Sequence, residues 1–334
     1  IEDLIKRGAS VQLLRRKVLG FEDNGSIQEN ENEVCRSWTK EEYGRYKSEF
    51  INPRDRVIQL AVKDCDIVHL HNPIVEGVWE AKKRNKPCVM TIYNWRRKGL
   101  NPRLLAWKWA VSQVDRRWYI SEFVWDTWET KRRKYSSRLP VVSRMPKEDY
   151  PPHMRRGFIF AGRWIPNKGI RVLVEAYRRI SPDPDFWPLI MIGDGPLKKE
   201  VIDTIESKKI KGIKIIGFVS EEEKHNYIRH AKWMVTPPNT KEDLGLTPLE
   251  ARSVGVPCIA STDGGVVETA GKHALFCKPG DVESLKELLS KAICMDNVRY
   301  NKMSKLAKEG IENYVRPLCE YSKQYLKLIK KNEY

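Results

Sequence analysis

Short apolar runs of strand length recur along the chain, separated by charged amphipathic or turn-rich stretches. VIQLAV, DIVHLH, PCVMTIY and RRWYIS follow one another in the first half; GFIFAGR, PLIMIGDG, IKIIGFV, WMVTPP and PCIAST repeat the rhythm in the second. Such alternation implies βαβ units, and runs too apolar for a half-exposed strand imply parallel sheets covered on both faces. A helix is expected from about Gly169 to Arg179. The 334 residues suffice for two domains with separate cores. The stretch Val142–Gly157, with three prolines and opposing charges, is the best linker. The expected architecture is therefore α/β, with two doubly wound Rossmann-like domains. The first covers residues 1–150, the second residues 151–310, and C-terminal helices in 311–334 pack back on the first.

The chain opens differently from such a domain. IEDLIKRGASVQLLRR reads as a helix, Ile1–Arg7, feeding a strand, Ser10–Leu14. A doubly wound domain ordinarily begins with a strand and a loop into its first helix. The reading therefore expects one strand and a short loop, about 10–15 residues, to be missing ahead of Ile1. No charged-then-apolar leader is recognisable in these opening residues.

Composition narrows the class. With 41% hydrophobic and 31% charged residues, 20 Gly and 19 Pro, the chain is neither collagen-like, coiled-coil nor disordered. Mean hydropathy is −0.56, and no run approaches the ~20 apolar residues of a membrane-spanning helix. Seven cysteines (Cys35, Cys65, Cys88, Cys258, Cys277, Cys294 and Cys319) are scattered and form no CxxC. That spacing suits reduced, buried thiols in a cytoplasmic protein better than a disulfide framework or a zinc site.

The net charge of +17 is uneven. Residues 82–147 hold 18 Lys and Arg against 4 Asp and Glu, an excess of 14. Six of the 11 Trp (Trp95, Trp107, Trp109, Trp118, Trp125 and Trp128) share that stretch. A basic, tryptophan-rich face attracts nucleic acid, anionic lipid headgroups or a phosphorylated acceptor; a solvated surface over core tryptophans is the simpler reading. Within it, Asn101 and Pro102 open a helix carrying Leu104, Leu105, Trp107 and Trp109 among cations, a composition suited to a membrane interface.

Two segments carry chemistry. In GRWIPNKG, Arg163 and Lys168 lie in the loop after a strand, where open α/β sheets bind ligands; a guanidinium fork with an ammonium suits a diphosphate. In EDLGLTPLE, Thr247 reads as a helix N-cap, Pro248 as the first helical residue and Glu250 as the partner of a capping box. The same helix start also suits a phosphate, so Glu250 is open to a structural and a ligand-binding reading. Two Asp-x-Asp triplets, Asp64–Asp66 and Asp183–Asp185, fall at turns or strand starts and read as structure rather than metal ligands. In GDGPLK, Lys198 stands where a dinucleotide-binding GxGxxG needs glycine, which excludes a Rossmann dehydrogenase.

FAGRWIPNKGIRVLVEAY, LIMIGDGPLKKEV, IKIIGFVSEEEKHNYIRHAKWMVTPP, EDLGLTPLEA and GVPCIASTDGGVVE stand in an order that resembles the family 4 retaining glycosyltransferases of the GT-B fold. The resemblance runs from about Phe158 to Ile293, and its most specific element is the Glu-x7-Glu pair Glu242 and Glu250. DIVHLHNP, KPCVMTIYNW and WYISEFV extend it more loosely into the first half. The resemblance implies two domains facing a cleft and retaining transfer of a sugar from a UDP- or GDP-sugar to a hydroxyl of a glycan or lipid-linked acceptor. That is a hexosyltransferase-type activity, as in polysaccharide biosynthesis.

It also implies roles. Arg163 and Lys168 would neutralise the departing diphosphate, and Glu242 would contact the transferred sugar. Glu250 would hold the ribose hydroxyls, Leu246 and Thr247 amides the distal phosphate, and Gly217, Phe218 and Val219 the base. No metal or other cofactor is expected. Tyr93 stands where the family usually has a histidine on the acceptor side, and Leu244 replaces a phenylalanine. An anionic membrane surface is the partner expected for residues 82–147, at the inner face of the membrane, and nucleic acid is not. The alternatives are an inactive GT-B protein that binds nucleotide or glycan, and a basic nucleic-acid-binding protein.

Overall fold

The computed structural model describes residues 11–15, 33–37, 56–99, 101–139, 145, 150–315 and 319–329. The expected helix Ile1–Arg7 and seven of the sixteen residues of the expected linker Val142–Gly157 lie outside these residues. The chain divides into two compact units: Ile1–Tyr119 with Trp128–Ser137 and Arg316–Tyr334, and Ile120–Thr127 with Arg138–Val315.

In the first unit, β1 (Val11–Arg15) pairs in parallel with β2 (Glu33–Ser37). A four-stranded sheet runs in the order β3 (Val68–His71), β4 (Cys88–Ile92), β5 (Arg116–Tyr119) and β6 (Ser136–Arg138), with β3, β4 and β5 parallel. Its helices are α1 (Arg56–Lys63), α2 (Val75–Lys83) and α3 (Pro102–Gln113). The next helix, α4 (Glu122–Trp128), belongs to the second unit except for its last residue. The run VIQLAV, expected as a strand, is helix α1. Ile58 and Val62, four residues apart, are buried while Leu60 between them is exposed, which is helical and not strand spacing. A six-residue apolar run cannot by itself separate the two. At α3 the Asn101 side chain caps the helix by accepting from the Leu104 amide at 2.8 Å, ahead of Pro102.

The second unit holds a six-stranded sheet: β7 (Arg156–Ala161), β8 (Leu189–Ile192), β9 (Ile213–Gly217), β10 (Ala231–Thr236), β11 (Cys258–Ser261) and β12 (Leu275–Cys277). The spatial order is β12-β11-β10-β7-β8-β9, with every pairing parallel. This is the doubly wound dinucleotide order, in which the chain works outward from β7 and then returns to its other side at β10. Its further helices are α5 (Ile170–Ile180), α6 (Lys198–Ser207), α7 (Glu221–His230), α8 (Thr247–Ser253), α9 (Val266–Ala270), α10 (Val282–Ile293) and α11 (Asn297–Ala307). Helix α12 (Cys319–Ile329) belongs to the first unit.

Burial on both faces explains the continuous apolar runs. Phe158 and Phe160 of β7 enter one core with Leu173 and Tyr177 of α5 and Trp233 of β10. The alternate residues Ile159 and Ala161 enter the other with Met234, Ala251 and Val254. Arg252 of α8 is buried and donates to the carbonyls of Ala307, Thr269 and Glu309, tying α8 to the end of α11. Replacing Arg252 with Met would orphan these carbonyls. At about 1.5–3 kcal/mol for each charged hydrogen bond, the expected loss exceeds about 3 kcal/mol, read by urea unfolding of the two proteins.

Candidate functional site

The reversal between β7 and β10 splays the loops at their carboxyl ends, which is where open α/β sheets take ligands. The β7 loop carries Arg163 and, in a 3-10 turn Pro166–Lys168, Lys168. Gly169 then turns with φ +72°; a Cβ there would stand 1.8 Å from the Pro237 carbonyl, so only glycine lets this loop lie against the β10 loop. The Asn239 amide accordingly donates to the Asn167 carbonyl at 3.1 Å. On the β10 side, Glu242 bridges Gly264, and the Gly265 amide donates to the Glu242 carbonyl at 2.7 Å. A Cβ on Gly264 would meet the Glu242 backbone at 2.5 Å. The Ser121 hydroxyl donates to the Asp243 carbonyl at 2.7 Å and holds the next residue of the loop.

These close approaches bring the Lys168 ammonium to 2.6 Å from Glu242 Oε1, with both side chains mostly out of solvent. The two residues are 74 apart in the chain, and the sequence assigns them separate tasks; the fold makes them an ion pair. Arg163 is exposed on the same loop.

Glu250 lies one turn into α8. The expected capping box does not form: Leu246 holds the N-cap position with helical backbone, Thr247 is already the first helical residue, and no side chain caps the helix. The helix begins one residue earlier than the motif suggests, so Thr247 has already entered it and does not occupy the cap position. Glu250 does not turn back to the backbone. It is 3% exposed, its Oε1 accepts from Lys224 Nζ at 3.1 Å, and its Oε2 has no hydrogen-bond partner among the described residues. Burial raises its carboxyl above the usual range, and Lys224 only partly opposes this.

Lys224 also reaches Glu221 Oε2 at 2.8 Å, and the next residue, His225, has an Nε2 shielded from solvent with no hydrogen-bond partner among the described residues. Neither Lys224 nor His225 is marked as a site residue by sequence pattern. The available signal is their place in the first helix after IKIIGFV, at the same carboxyl edge. Gly217 ends β9 with φ +86°, Phe218 is 83% exposed, and Val219 packs against the second core. Glu221, His225 and Glu250 form a group of metal-ligating type, and Lys224 places one ammonium between its two carboxylates.

On the first unit, Tyr93 Oη lies 2.9 Å from His71 Nδ1, and the Tyr93 amide donates to Asn72 Oδ1 at 2.9 Å. Burial raises the phenol and lowers the imidazole, so the pair is neutral near pH 7. His71 is a further residue that the sequence analysis misses; in register it stands opposite Thr91, two residues before Tyr93. Asp183, of the second Asp-x-Asp, accepts from the Asp185 amide at 2.9 Å in a turn. Cys65, Cys88, Cys258, Cys277, Cys294 and Cys319 are free thiols.

The family model described as glycosyl transferases group 1 matches residues 144–311, just over half the chain and nearly all of the second unit. The protein belongs to this family. Among curated relatives, a 2-deoxystreptamine N-acetyl-D-glucosaminyltransferase of Niallia circulans is 26% identical over 54% of this chain and 46% of its own length. A phosphatidyl-myo-inositol mannosyltransferase of Mycobacterium leprae is 26% identical over 59% and 55%. The chain thus spans about half the length of these relatives. Among solved structures, Anabaena Alr3699/HepE in complex with UDP has a TM-score of 0.72 at 14% identity, covering 96% of this chain and 99% of that one. Sucrose-phosphate synthase from Thermosynechococcus elongatus also has a TM-score of 0.72, at 16% identity over 99% and 92%. At these identities the likeness defines the fold, and the two parallel-sheet α/β units are of the GT-B type.

A buried carboxyl with a raised pKa favours folding when protonated. Its contribution is present below the unfolded-state pKa and is lost as pH rises through the folded value. Glu250→Gln, which mimics the protonated form, should therefore melt at or above the wild-type temperature at pH 7. The difference should shrink as pH falls into the ordinary carboxylate range; thermal melts across pH 4–8 read it directly. A structural cap would lower the melting temperature instead.

Proposed function

We propose that the protein is a retaining glycosyltransferase of family 4 type, moving a sugar from a UDP- or GDP-sugar to a hydroxyl acceptor without a metal. The observation that carries this reading is the Lys168–Glu242 pair, held at the reversal point of the sheet with Arg163 on the same loop. Breaking the bond between sugar and nucleotide builds oxocarbenium character on the sugar and negative charge on the diphosphate. Arg163 and Lys168 would meet that charge, so they stabilise the transition state more than the ground state. Lys168 would turn from Glu242 towards the phosphates, freeing the Glu242 carboxylate to accept from hydroxyls of the transferred sugar. The donor phosphate takes the acceptor's proton, so no protein base is assigned.

Glu250 would hold the ribose, and this accounts for a buried carboxylate oxygen without a protein partner. Phe218, exposed where β9 ends, offers a face for the base beside Gly217 and Val219. The amides of Leu246 and Thr247 would reach the distal phosphate. Lys224 offsets one of the two carboxylate charges of Glu221 and Glu250. Tyr93, with its hydroxyl set by His71, is the proposed acceptor-side contact; as a neutral pair they can align a hydroxyl but are not an ordinary proton shuttle near pH 7.

The acceptor proposed is a glycan or lipid-linked one, approached from the inner membrane face. Helix α3 supports this: Leu105 is 54% exposed, Trp79 of α2 is 49% exposed with its ring 6.2 Å from Trp109, and Arg103 lies over Trp107. Cations beside half-exposed tryptophans suit an anionic headgroup layer. No helix among the described residues is long and apolar enough to cross a membrane.

A hydrolysis and thermal-shift screen across UDP-, GDP-, ADP- and TDP-sugars tests the function. Turnover with one of them is the expected result; binding without turnover would favour an inactive nucleotide-binding protein, the reading that Tyr93 in the histidine position suggests. Arg163→Ala and Lys168→Ala should each lower kcat by about 10²-fold or more, with EDTA leaving turnover unchanged. Strict dependence on a divalent ion would reject the metal-free mechanism. Co-sedimentation should show binding to anionic but not zwitterionic liposomes, weakened by salt and by Arg96→Glu, Arg97→Glu and Lys98→Glu together.

A further inference from the structure

Beside Glu250 the second unit holds a feature that the diphosphate chemistry does not use. Helix α7 begins at the carboxyl end of β9 and turns Glu221, Lys224 and His225 towards α8, so that one ligand atom from each of Glu221, His225 and Glu250 lies within 4.8 Å of the other two. Two atoms here, Glu250 Oε2 and His225 Nε2, are shielded from water and have no hydrogen-bond partner among the described residues. Leaving both polar atoms dry and unpaired is costly, and a ligand that pairs both removes the cost. His225 Nε2 stands 3.8 Å from Glu221 Oε2, too far for a hydrogen bond.

The charge at the cluster selects the ligand. Lys224 Nζ lies 2.8 Å from Glu221 Oε2 and 3.1 Å from Glu250 Oε1, so the two carboxylates already share an ammonium. The ammonium offsets one of the two carboxylate charges, which weakens the attraction for a dication, and the carboxylates repel an anion. A neutral group with two adjacent hydroxyls fits: one donates to the free carboxylate oxygen, and the other pairs with the imidazole. Desolvation and Lys224 both lower the imidazole pKa, with Glu221 opposing, so the ring is neutral near pH 7 and can donate or accept according to tautomer.

We propose that His225 Nε2 and Glu250 Oε2 divide the two ribose hydroxyls of the donor nucleotide between them, which makes His225 a specificity residue for ribonucleotides over their deoxy forms. This rests on the nucleotide-sugar reading above and adds to it a second residue with a separate task. A site built to pair a hydroxyl rejects the analogue that lacks it, because its own polar atom is then left unpaired.

The test is titration calorimetry of UDP and GDP, each beside its 2′-deoxy and 3′-deoxy form, with the whole chain. Wild type should prefer the ribonucleotide to both deoxy forms by at least about tenfold. His225→Leu should lose that preference against one deoxy form and keep it against the other, and Glu250→Ala, which removes the carboxylate altogether, should lose the complementary one. His225→Gln, whose amide can still pair, should restore part of the lost preference, and circular dichroism melts check that each variant is folded. A folded His225→Leu protein with both wild-type preferences overturns the proposal while leaving the nucleotide reading standing. Absence of binding by either nucleotide to wild type overturns both. Stoichiometric binding of Zn²⁺ alone, lost in His225→Leu, would assign the cluster to a metal ion and likewise overturn it.

Discussion

The reversal of strand order at β7 is the constraint on which the second unit depends. Because the chain builds β8 and β9 on one side of β7 and β10 to β12 on the other, the loops that leave β7 and β10 depart to opposite faces. The residues proposed to serve a ligand there are distant in sequence: Arg163 and Lys168 follow β7, Phe218 to His225 follow β9, and Glu242 to Glu250 follow β10. Glycines set how closely the loops approach. Without Gly169 and Gly264 the Lys168 and Glu242 loops would be pushed apart by the width of a methyl group, which is larger than the tolerance of an ion pair.

Charge burial around α8 follows two different logics. Arg252 is surrounded by carbonyls that satisfy it, and its role is to fasten the helix. Glu250, two residues earlier, is as deeply buried but only half satisfied, and its raised pKa records that the fold gains nothing from its charge. Polar groups that burden folding in this way are retained where a ligand completes them, the usual exchange of stability for function at a binding site. Lys224 offsets that burden in part. The His71–Tyr93 pair of the first unit differs again, since both members are neutral and pair with each other.

Much of the molecule is legible from pattern alone. A parallel strand needs apolar residues on both faces, so GFIFAGR, PLIMIGDG and PCIAST announce themselves, and Asn101-Pro102 announces a helix start. The failures also have causes. VIQLAV is apolar at strand length but buries Ile58 and Val62 at helical spacing, a choice made by what packs against it. Thr247-Pro248-Leu249-Glu250 satisfies the letter of a capping box, yet capping depends on the backbone angles of the residue before the helix, and Leu246 is already helical.

What the sequence by itself determined, then, is the set of elements and the chemical inventory of the carboxyl edge: two cations after β7, two carboxylates eight residues apart after β10, and glycines where loops must touch. These are local properties, written in the period of apolar residues and in residue type. Only the tertiary structure decided which of them meet. Lys168 with Glu242, Lys224 with Glu250, and His71 with Tyr93 are pairings across strand order and register, to which sequence separation gives no guide. The unpaired Glu250 Oε2 and His225 Nε2 are a tertiary property in the strictest sense, since a polar atom is left without a partner only by everything that packs around it.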